Sequence, residues 1–305
     1  MYLKHFNMRE MPFAITPDTS YFYNYGAYQE ALNVLLVALR SGEGFIKISG
    51  EVGTGKTLLC RKVLNTLGEG FVTAYLPNPC LTPAGLRMAL ADELSVNYAR
   101  NMGQHRILKL INDRLIELNA QGKQVVLLLD EAQALPDDSM EALRLLTNLE
   151  TEKSKLLQVV LFGQPELDER LAENKLRQLR QRITFSYDLN SIDRIGIAGY
   201  LGHRLTVAGY NGRPLFGDDA LDALYRESGG VPRILNILAH KALMAAYGKG
   251  AFSISVQHVQ LAADDTESVR PLSRSSTSFG LSRMGAAVAS AVSAAAMAAA
   301  MSFGV

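Results

Sequence analysis

The octapeptide Gly50-Glu51-Val52-Gly53-Thr54-Gly55-Lys56-Thr57 constrains this 305-residue chain more than any other feature. It matches the spacing GxxxxGK[ST] at every fixed position. The apolar run Phe45 to Ser49 precedes it and reads as a strand, and a helix-like stretch follows. A chain that turns through glycines from strand to helix converges its backbone N–H groups on one point. That point lies at a helix N-terminus, whose dipole favours anions. At ordinary glycine frequencies, chance supplies such an octapeptide in roughly one chain of this length per hundred. The strand and helix on either side lower that figure further. Gly50, Glu51, Val52, Gly53, Thr54 and Gly55 therefore read as a phosphate cradle. Lys56 adds a positive charge for the β- and γ-phosphates, and the Thr57 hydroxyl is a ligand for Mg²⁺.

The pattern around the loop sets the fold class. Apolar runs at Phe45 to Ser49, Phe71 to Leu76, Gln124 to Leu129, Leu157 to Phe162 and Ile183 to Leu189 are short and nearly continuous. Continuous rather than alternating apolarity suits parallel strands covered on both faces. Helical segments separate the runs: one opens at Thr82-Pro83, one spans Gln104 to Ala120, and one follows Leu135-Pro136 and ends near Leu149. The expectation is an α/β fold with a parallel five-stranded sheet joined by right-handed crossovers. After Leu189 the pattern turns helical. Ser191 is a candidate cap for a helix to about Val207, and further helices are expected at 217–225, 232–247 and 256–263, a small all-helical lid. The expected division is an N-terminal segment 1–40, a core 41–190, a helical lid 191–265, a polar linker 266–283 and an Ala-rich tail 284–305.

A second set of residues belongs with the loop. The run Val125 to Leu129 ends in Asp130-Glu131. An acid at the tip of a buried strand downstream of a phosphate loop holds Mg²⁺, the role expected of Asp130. A carboxylate directly after it can polarise the attacking water, which makes Glu131 the general-base candidate. Gln164 follows the strand-like run 157–162 and would approach a γ-phosphate if that strand lies between the two motif strands. A glutamine before a proline is otherwise a turn residue. The run Leu176-Arg177-Gln178-Leu179-Arg180-Gln181-Arg182 reads by default as a solvated basic face. Its position also allows Arg182, or its neighbours Arg177 and Arg180, to be offered to the phosphate of an adjacent subunit. Gly229-Gly230-Val231-Pro232-Arg233 opens a helix and puts Arg233 in its first turn, where positive charge opposes the dipole. A nucleotide phosphate would compensate it.

Bulk properties limit the partners. Net charge is +1, which argues against a nucleic-acid partner. Cys60 and Cys80 form no zinc or redox spacing. No apolar leader core follows Met1, so the expected location is cytoplasmic. Residues 284–305 carry no charge, are long enough to span a bilayer, and follow Arg270, Arg274 and Arg283. Alanine is nearly neutral for insertion. Two readings stand: a membrane span tying the protein to the inner membrane, or an alanine-rich tail.

Taken together, these residues resemble the AAA+ ATPases, with Walker A at 50–57, Walker B at 125–131, sensor 1 at Gln164, an arginine finger near Arg182 and sensor 2 at Arg233. The match in order and spacing covers about residues 40–265. The opening Phe13-Ala14-Ile15-Thr16-Pro17-Asp18, then Tyr21-Phe22-Tyr23 and Glu30-Ala31-Leu32, resembles the start of the ExeA/GspA family, as does Leu161-Phe162-Gly163-Gln164-Pro165-Glu166-Leu167. Within that family the chain is similar to the MshM-type members of mannose-sensitive haemagglutinin (type IV) pilus biogenesis. The resemblance implies binding and hydrolysis of ATP with Mg²⁺, a ring-like homo-oligomer, and inner-membrane pilus or secretion proteins as partners. It also implies that the opening segment packs beside the adenine, a role carried to Phe13 and Pro17. ExeA-type members continue into a transmembrane helix and a periplasmic peptidoglycan-binding domain. This chain ends at Val305, which favours the shorter pilus-type relatives. Two rivals are a DNA-transposition helper of the TniB or MuB sort and a nucleotide-gated scaffold with little turnover.

Overall fold

The three central strands, Phe45–Ser49, Gln124–Leu129 and Leu157–Gly163, are buried on both sides of the pleat. The edge strand Ile183–Asp188 instead alternates apolar Ile183, Phe185 and Tyr187 with polar Thr184, Ser186 and Asp188, so its expected continuous apolar run is not found. The computed structural model describes residues 2–99, 101–150 and 155–267. The expected tail 284–305, nearly all of the linker and its three arginines lie outside the described residues. In chain order the elements begin with α1 (Tyr2–His5), α2 (Ala27–Arg40), β1 (Phe45–Ser49), α3 (Lys56–Thr66) and β2 (Phe71–Leu76). They continue with α4 (Pro83–Glu93), α5 (Gln104–Ala120), β3 (Gln124–Leu129), α6 (Asp137–Leu146) and β4 (Leu157–Gly163). Next come α7 (Pro165–Ala172), α8 (Arg177–Arg180) and β5 (Ile183–Asp188). The last are α9 (Arg194–Val207), α10 (Asp218–Ser228), α11 (Pro232–Gly248) and α12 (Val256–Asp264).

Among the described residues the sheet has five strands in the order β2-β3-β4-β1-β5, every neighbouring pair parallel. Successive side chains on a strand point to opposite faces, and the two faces have separate cores. Ile46, Ile48, Val126, Leu128, Val160 and Phe162 pack on one side with Leu35 and Leu39 of α2 and Leu59 and Val63 of α3. Phe45, Val125, Leu127, Leu129, Val159 and Leu161 pack on the other with residues of α4 to α8. Burial of one such leucine contributes about 1.5–3 kcal/mol, so the apolar runs commit the sheet to the middle of the molecule.

The helix boundaries have local causes. Thr82 caps α4, its Oγ1 accepting the Gly85 N–H at 3.2 Å, with Pro83 at the first helical position. The cap of α9 is Asp193 and not Ser191: Asp193 Oδ1 accepts the Gly196 N–H at 2.6 Å. Ile192 between them is committed elsewhere, its N–H donating to the Gly230 carbonyl at 2.9 Å. That bond keeps the chain extended until Asp193. The helix after Pro136 stops at Leu146, three residues short of expectation.

Helices α9 to α12 bury Leu201, Leu224, Leu235, Leu243 and Val259 in a core continuous with the α2 and α3 face of the sheet. The N-terminal segment ties this helical unit to the sheet. Arg9 N–H donates to the Ala208 carbonyl at 2.8 Å at the end of α9, while Arg61 of α3 donates to the Pro17 carbonyl at 2.9 Å.

The seam between the helical unit and the sheet passes through two adjacent left-handed glycines. Gly229, at φ +57°, has open space where a Cβ would project. Gly230, at φ +74°, has the Ile192 carbonyl there instead. Gly229→Ala should cost about 1–2 kcal/mol, the penalty of left-handed backbone alone. Gly230→Ala should cost roughly 1–3 kcal/mol more, because the backbone of Ile192 must also move. Urea unfolding of the two variants checks this; equal losses would show that the seam tolerates the added methyl.

Candidate nucleotide site

The phosphate loop is held in shape before any ligand is considered. Gly53 at φ +84° and Gly55 at φ +95° take the left-handed turns that carry β1 into α3. Lys56 is the first residue of α3 and is 5% exposed. Its Nζ donates to the Gly50 carbonyl at 2.7 Å and the Glu51 carbonyl at 2.9 Å. Burial pulls the Lys56 pKa down, opposed by the nearby charges of Glu131 and Asp130. Tyr28 of α2 donates from its hydroxyl to the Thr54 carbonyl at 2.8 Å, and the Thr54 hydroxyl donates to the Glu51 carbonyl at 2.8 Å. Val52 projects from the loop, 56% exposed, at the edge of a cavity of about 310 Å³.

The tip of β3 faces this loop. Thr57 Oγ1 donates to Asp130 Oδ2 at 2.6 Å. Asp130 is 2% exposed, and burial pushes its carboxyl pKa up against the lowering effect of the Thr57 and Glu131 hydrogen bonds. A buried carboxylate beside a hydroxyl, at the head of a phosphate cradle, is the donor set that Mg²⁺ takes with a triphosphate. These residues fit that ion. Glu131 sits at φ +55° with its backbone N–H donating to Asp130 Oδ1 at 3.0 Å. The left-handed backbone turns its side chain toward the cavity that it lines.

Strand β4 lies between β3 and β1, the condition on which the reading of Gln164 depended. Gln164 Nε2 donates to Glu131 Oε2 at 2.9 Å, and both residues line the cavity with Lys56 and Thr57. Arg233 joins them from the helical unit. Its backbone N–H donates to the Gly53 carbonyl at 3.2 Å, and a Cβ on Gly53 would come within 2.8 Å of the Arg233 Cβ. Glycine at 53 thus serves two needs, the left-handed turn and the approach of α11.

Arg182 stands apart. It precedes β5, whose first residue Ile183 pairs with Phe45 at the start of β1. The phosphate loop leaves the other end of β1, roughly 15 Å away along the strand. Arg182 is half-buried, with Nη1 3.4 Å from the Arg144 carbonyl and 3.4 Å from Thr147 Oγ1. Arg177 and Arg180 on α8 are exposed. None of the three lines the cavity of its own chain.

The N-terminal segment supplies the remaining wall, through Ala14, Ile15, Thr16 and Pro17. Phe13 is not in that wall. It is 2% exposed and packs edge-on against Phe216 at 6.2 Å, because an apolar ring next to the helical core gains more from burial there. Sequence reasoning also passed over Arg204. This arginine is 4% exposed, with Nε donating to the Pro12 carbonyl at 2.6 Å and Nη2 to the Ala14 carbonyl at 3.0 Å. Its guanidinium lies over the Tyr21 ring at 4.6 Å. The signal was present: Ile197, Tyr200, Leu201, Leu205 and Ala208 mark the buried stripe of α9, and Arg204 falls within it. Tyr28 and Gln133 carried no comparable sign.

Removing the Arg204 guanidinium should loosen the wall without touching the reacting groups. Hydrogen bonds from a charged group contribute about 1.5–3 kcal/mol. Arg204→Met should therefore weaken nucleotide binding roughly tenfold or more while leaving kcat within about twofold. Titration with a fluorescent nucleotide and steady-state kinetics test this; an unchanged Kd would detach the segment from binding.

Residues 39–171 match the family model described as AAA domain. The chain is 43% identical over 270 residues to general secretion pathway protein A of Aeromonas hydrophila, covering 88% of this chain and 49% of that protein. It therefore spans about half the length of that relative. Among solved structures, Cdc6p from Pyrobaculum aerophilum aligns with a TM-score of 0.62 at 18% identity, over 81% of this chain and 70% of that one. The Aeropyrum pernix ORC2 protein, solved as ADPNP–ADP complexes, aligns with a TM-score of 0.61 at 16% identity, over 83% and 72%. At such identities the structures speak for the fold alone. The chain belongs to the AAA ATPases of the ExeA/GspA family.

Proposed function

We propose that the protein binds and hydrolyses ATP with Mg²⁺, and that this turnover drives or regulates pilus or type II secretion assembly at the inner membrane. One observation carries the chemical part: Lys56, Thr57, Glu131, Gln164 and Arg233 surround a single cavity, with Asp130 bonded to Thr57 at its head. Likeness to general secretion pathway protein A supports the cellular part. The MshM-like, type IV pilus reading belongs to the same proposal.

The roles follow from the chemistry of each group. The loop amides and Lys56 hold the β- and γ-phosphates in the ground state. Thr57 and Asp130 would hold Mg²⁺, which when bound neutralises charge on the phosphate oxygens. Glu131 accepts a proton from the attacking water. Gln164 orients Glu131 and reaches the γ-phosphate side of the cavity. Arg233, in the first turn of α11, gives that helix a charge response to the nucleotide. Arg182 acts in trans, with Arg177 and Arg180 as exposed neighbours, which requires a homo-oligomer such as a ring. A guanidinium suits that task because it stays charged and matches phosphate oxygens with a rigid fork. Among the described residues no helix is long and apolar enough to cross a membrane. The inner-membrane part of the proposal is carried by residues 284–305, a charge-free stretch of spanning length behind Arg270, Arg274 and Arg283.

Two experiments test this reading. Lys56→Ala should weaken ATP binding, whereas Glu131→Gln should bind ATP and lose hydrolysis by roughly 10²–10⁴-fold. Phosphate release by Glu131→Gln at the wild-type rate would remove the carboxylate from the mechanism. Arg182→Ala should bind ATP yet hydrolyse it about 10³-fold or more slowly, the scale of such fingers. Mixing it with Lys56→Ala should partly restore turnover, since some interfaces then join an intact pocket to an intact arginine. A co-assembled mixture with no activity beyond its two parents rules out Arg182 in trans.

A further inference from the structure

The carboxylate of Glu131 is held by two amides on one oxygen. Its Oε2 accepts from Gln164 Nε2 at 2.9 Å and from Gln133 Nε2 at 2.5 Å. Among the described residues no hydrogen bond is recorded to Oε1, and Glu131 lines the cavity. The amide of Gln133 is itself fixed. Its Oε1 accepts the backbone N–H of Gln164 at 3.1 Å. A flipped amide would set NH₂ against N–H and oxygen against carboxylate, so only one orientation satisfies every group.

The backbone of Gln133 is tied down as well. Arg170 of α7 donates from Nη1 to the Gln133 carbonyl at 2.6 Å, and its Nη2 pairs with Asp137. Lys175 reaches the other oxygen of Asp137 at 2.6 Å. These two cations hold the Asp137 carboxyl below the usual carboxylate range. The short turn that carries Gln133 does not need its side chain. Ala134 N–H bonds to the Glu131 carbonyl at 2.9 Å and Leu135 N–H to the Ala132 carbonyl at 3.2 Å, backbone to backbone. The side chain is spent on Glu131.

We propose that Gln133 is a positioning residue for hydrolysis: its locked amide holds one oxygen of Glu131 and leaves the other free for the attacking water. The proposal rests on the reading of Glu131 as general base. A general base must stand within hydrogen-bond reach of the proton it takes, and a misplacement of about 1 Å can cost about 10²-fold in rate. Gln164 by itself leaves the carboxylate free to rotate about that single bond. Gln133 is the second point of attachment.

The experiment compares Gln133→Met, which keeps the length, with Gln133→Glu, which keeps the shape but puts a carboxylate where the donor was. Both are made alone, and Gln133→Met is also combined with Glu131→Gln. Gln133→Met should lower kcat roughly 10–10²-fold, with KM for ATP and the melting temperature near wild type. Gln133→Glu should lower kcat further, since two carboxylates then face each other. In the Glu131→Gln background, Gln133→Met should add little, because the two residues act as one unit. Wild-type kcat in Gln133→Met overturns the proposal, and so does an equal loss in both backgrounds. A joint fall in nucleotide affinity and melting temperature also overturns it, by marking Gln133 as structural. If Gln133→Met fails to fold, Gln133→Glu decides alone on the same split between kcat and KM. Should Glu131→Gln be inactive while Gln133→Met is normal, the base reading survives and the positioning role does not. Should Glu131→Gln hydrolyse normally, both fall.

Discussion

A buried ammonium underlies the site. Lys56 has left water for a position between the Gly50 and Glu51 carbonyls, and only oxygen partners make that burial tolerable. The loop is wound around the charge. Its glycines take left-handed turns that other residues resist, Thr54 closes back on Glu51, and Tyr28 braces the far side from α2. A triphosphate offers the same ammonium stronger acceptors than two peptide carbonyls, because its oxygens carry full negative charge. The loop therefore holds in advance the charge and the amides that a phosphate chain requires.

The helical unit is joined to that loop by backbone, not by side chains alone. Arg233 N–H on the Gly53 carbonyl joins the two parts directly, and Ile192 N–H on the Gly230 carbonyl fixes the start of the helical unit against the turn before α11. The N-terminal segment closes the third side. It is anchored to α3 through Arg61 and to α9 through Arg204, whose buried guanidinium satisfies two carbonyls that would otherwise lack donors. Arg233 itself stands one hydrogen bond from the phosphate loop.

At the other side of the cavity, the two neighbouring carboxylates differ in environment. Asp130 is buried and takes its partners from Thr57 and from the next backbone amide. Glu131 is turned out of the strand by its left-handed backbone and is steadied by Gln164 and Gln133. Adjacent residues in a strand ordinarily face opposite sides of the sheet. The left-handed backbone at Glu131 puts its side chain on the cavity while Asp130 stays buried behind it on Thr57.

Much of this was legible from residue order alone. Sheet membership, both core faces and the phosphate loop depend on local runs: apolar residues in unbroken stretches, glycines at fixed spacing, a threonine before a proline. Such signals are carried by residues near each other in the chain, so β1, β2 and β3 start and stop where the pattern says. Residue order offered Thr57 and Asp130 separately, each at the end of a motif; the hydrogen bond between them is a finding of the structure. What could not be read was which distant side chains and carbonyls brace the site. Asp193 caps α9 in place of Ser191 because Gly230, far along the chain, holds Ile192 extended. Phe13 leaves the cavity for Phe216, and Gln133 reaches Glu131 only because Gln164 fixes its amide. The sequence by itself determined the loop, the acids and the sheet that presents them. Only the tertiary structure decided which side chains brace them, because hydrogen bonds and burial between remote segments have no periodicity to betray them.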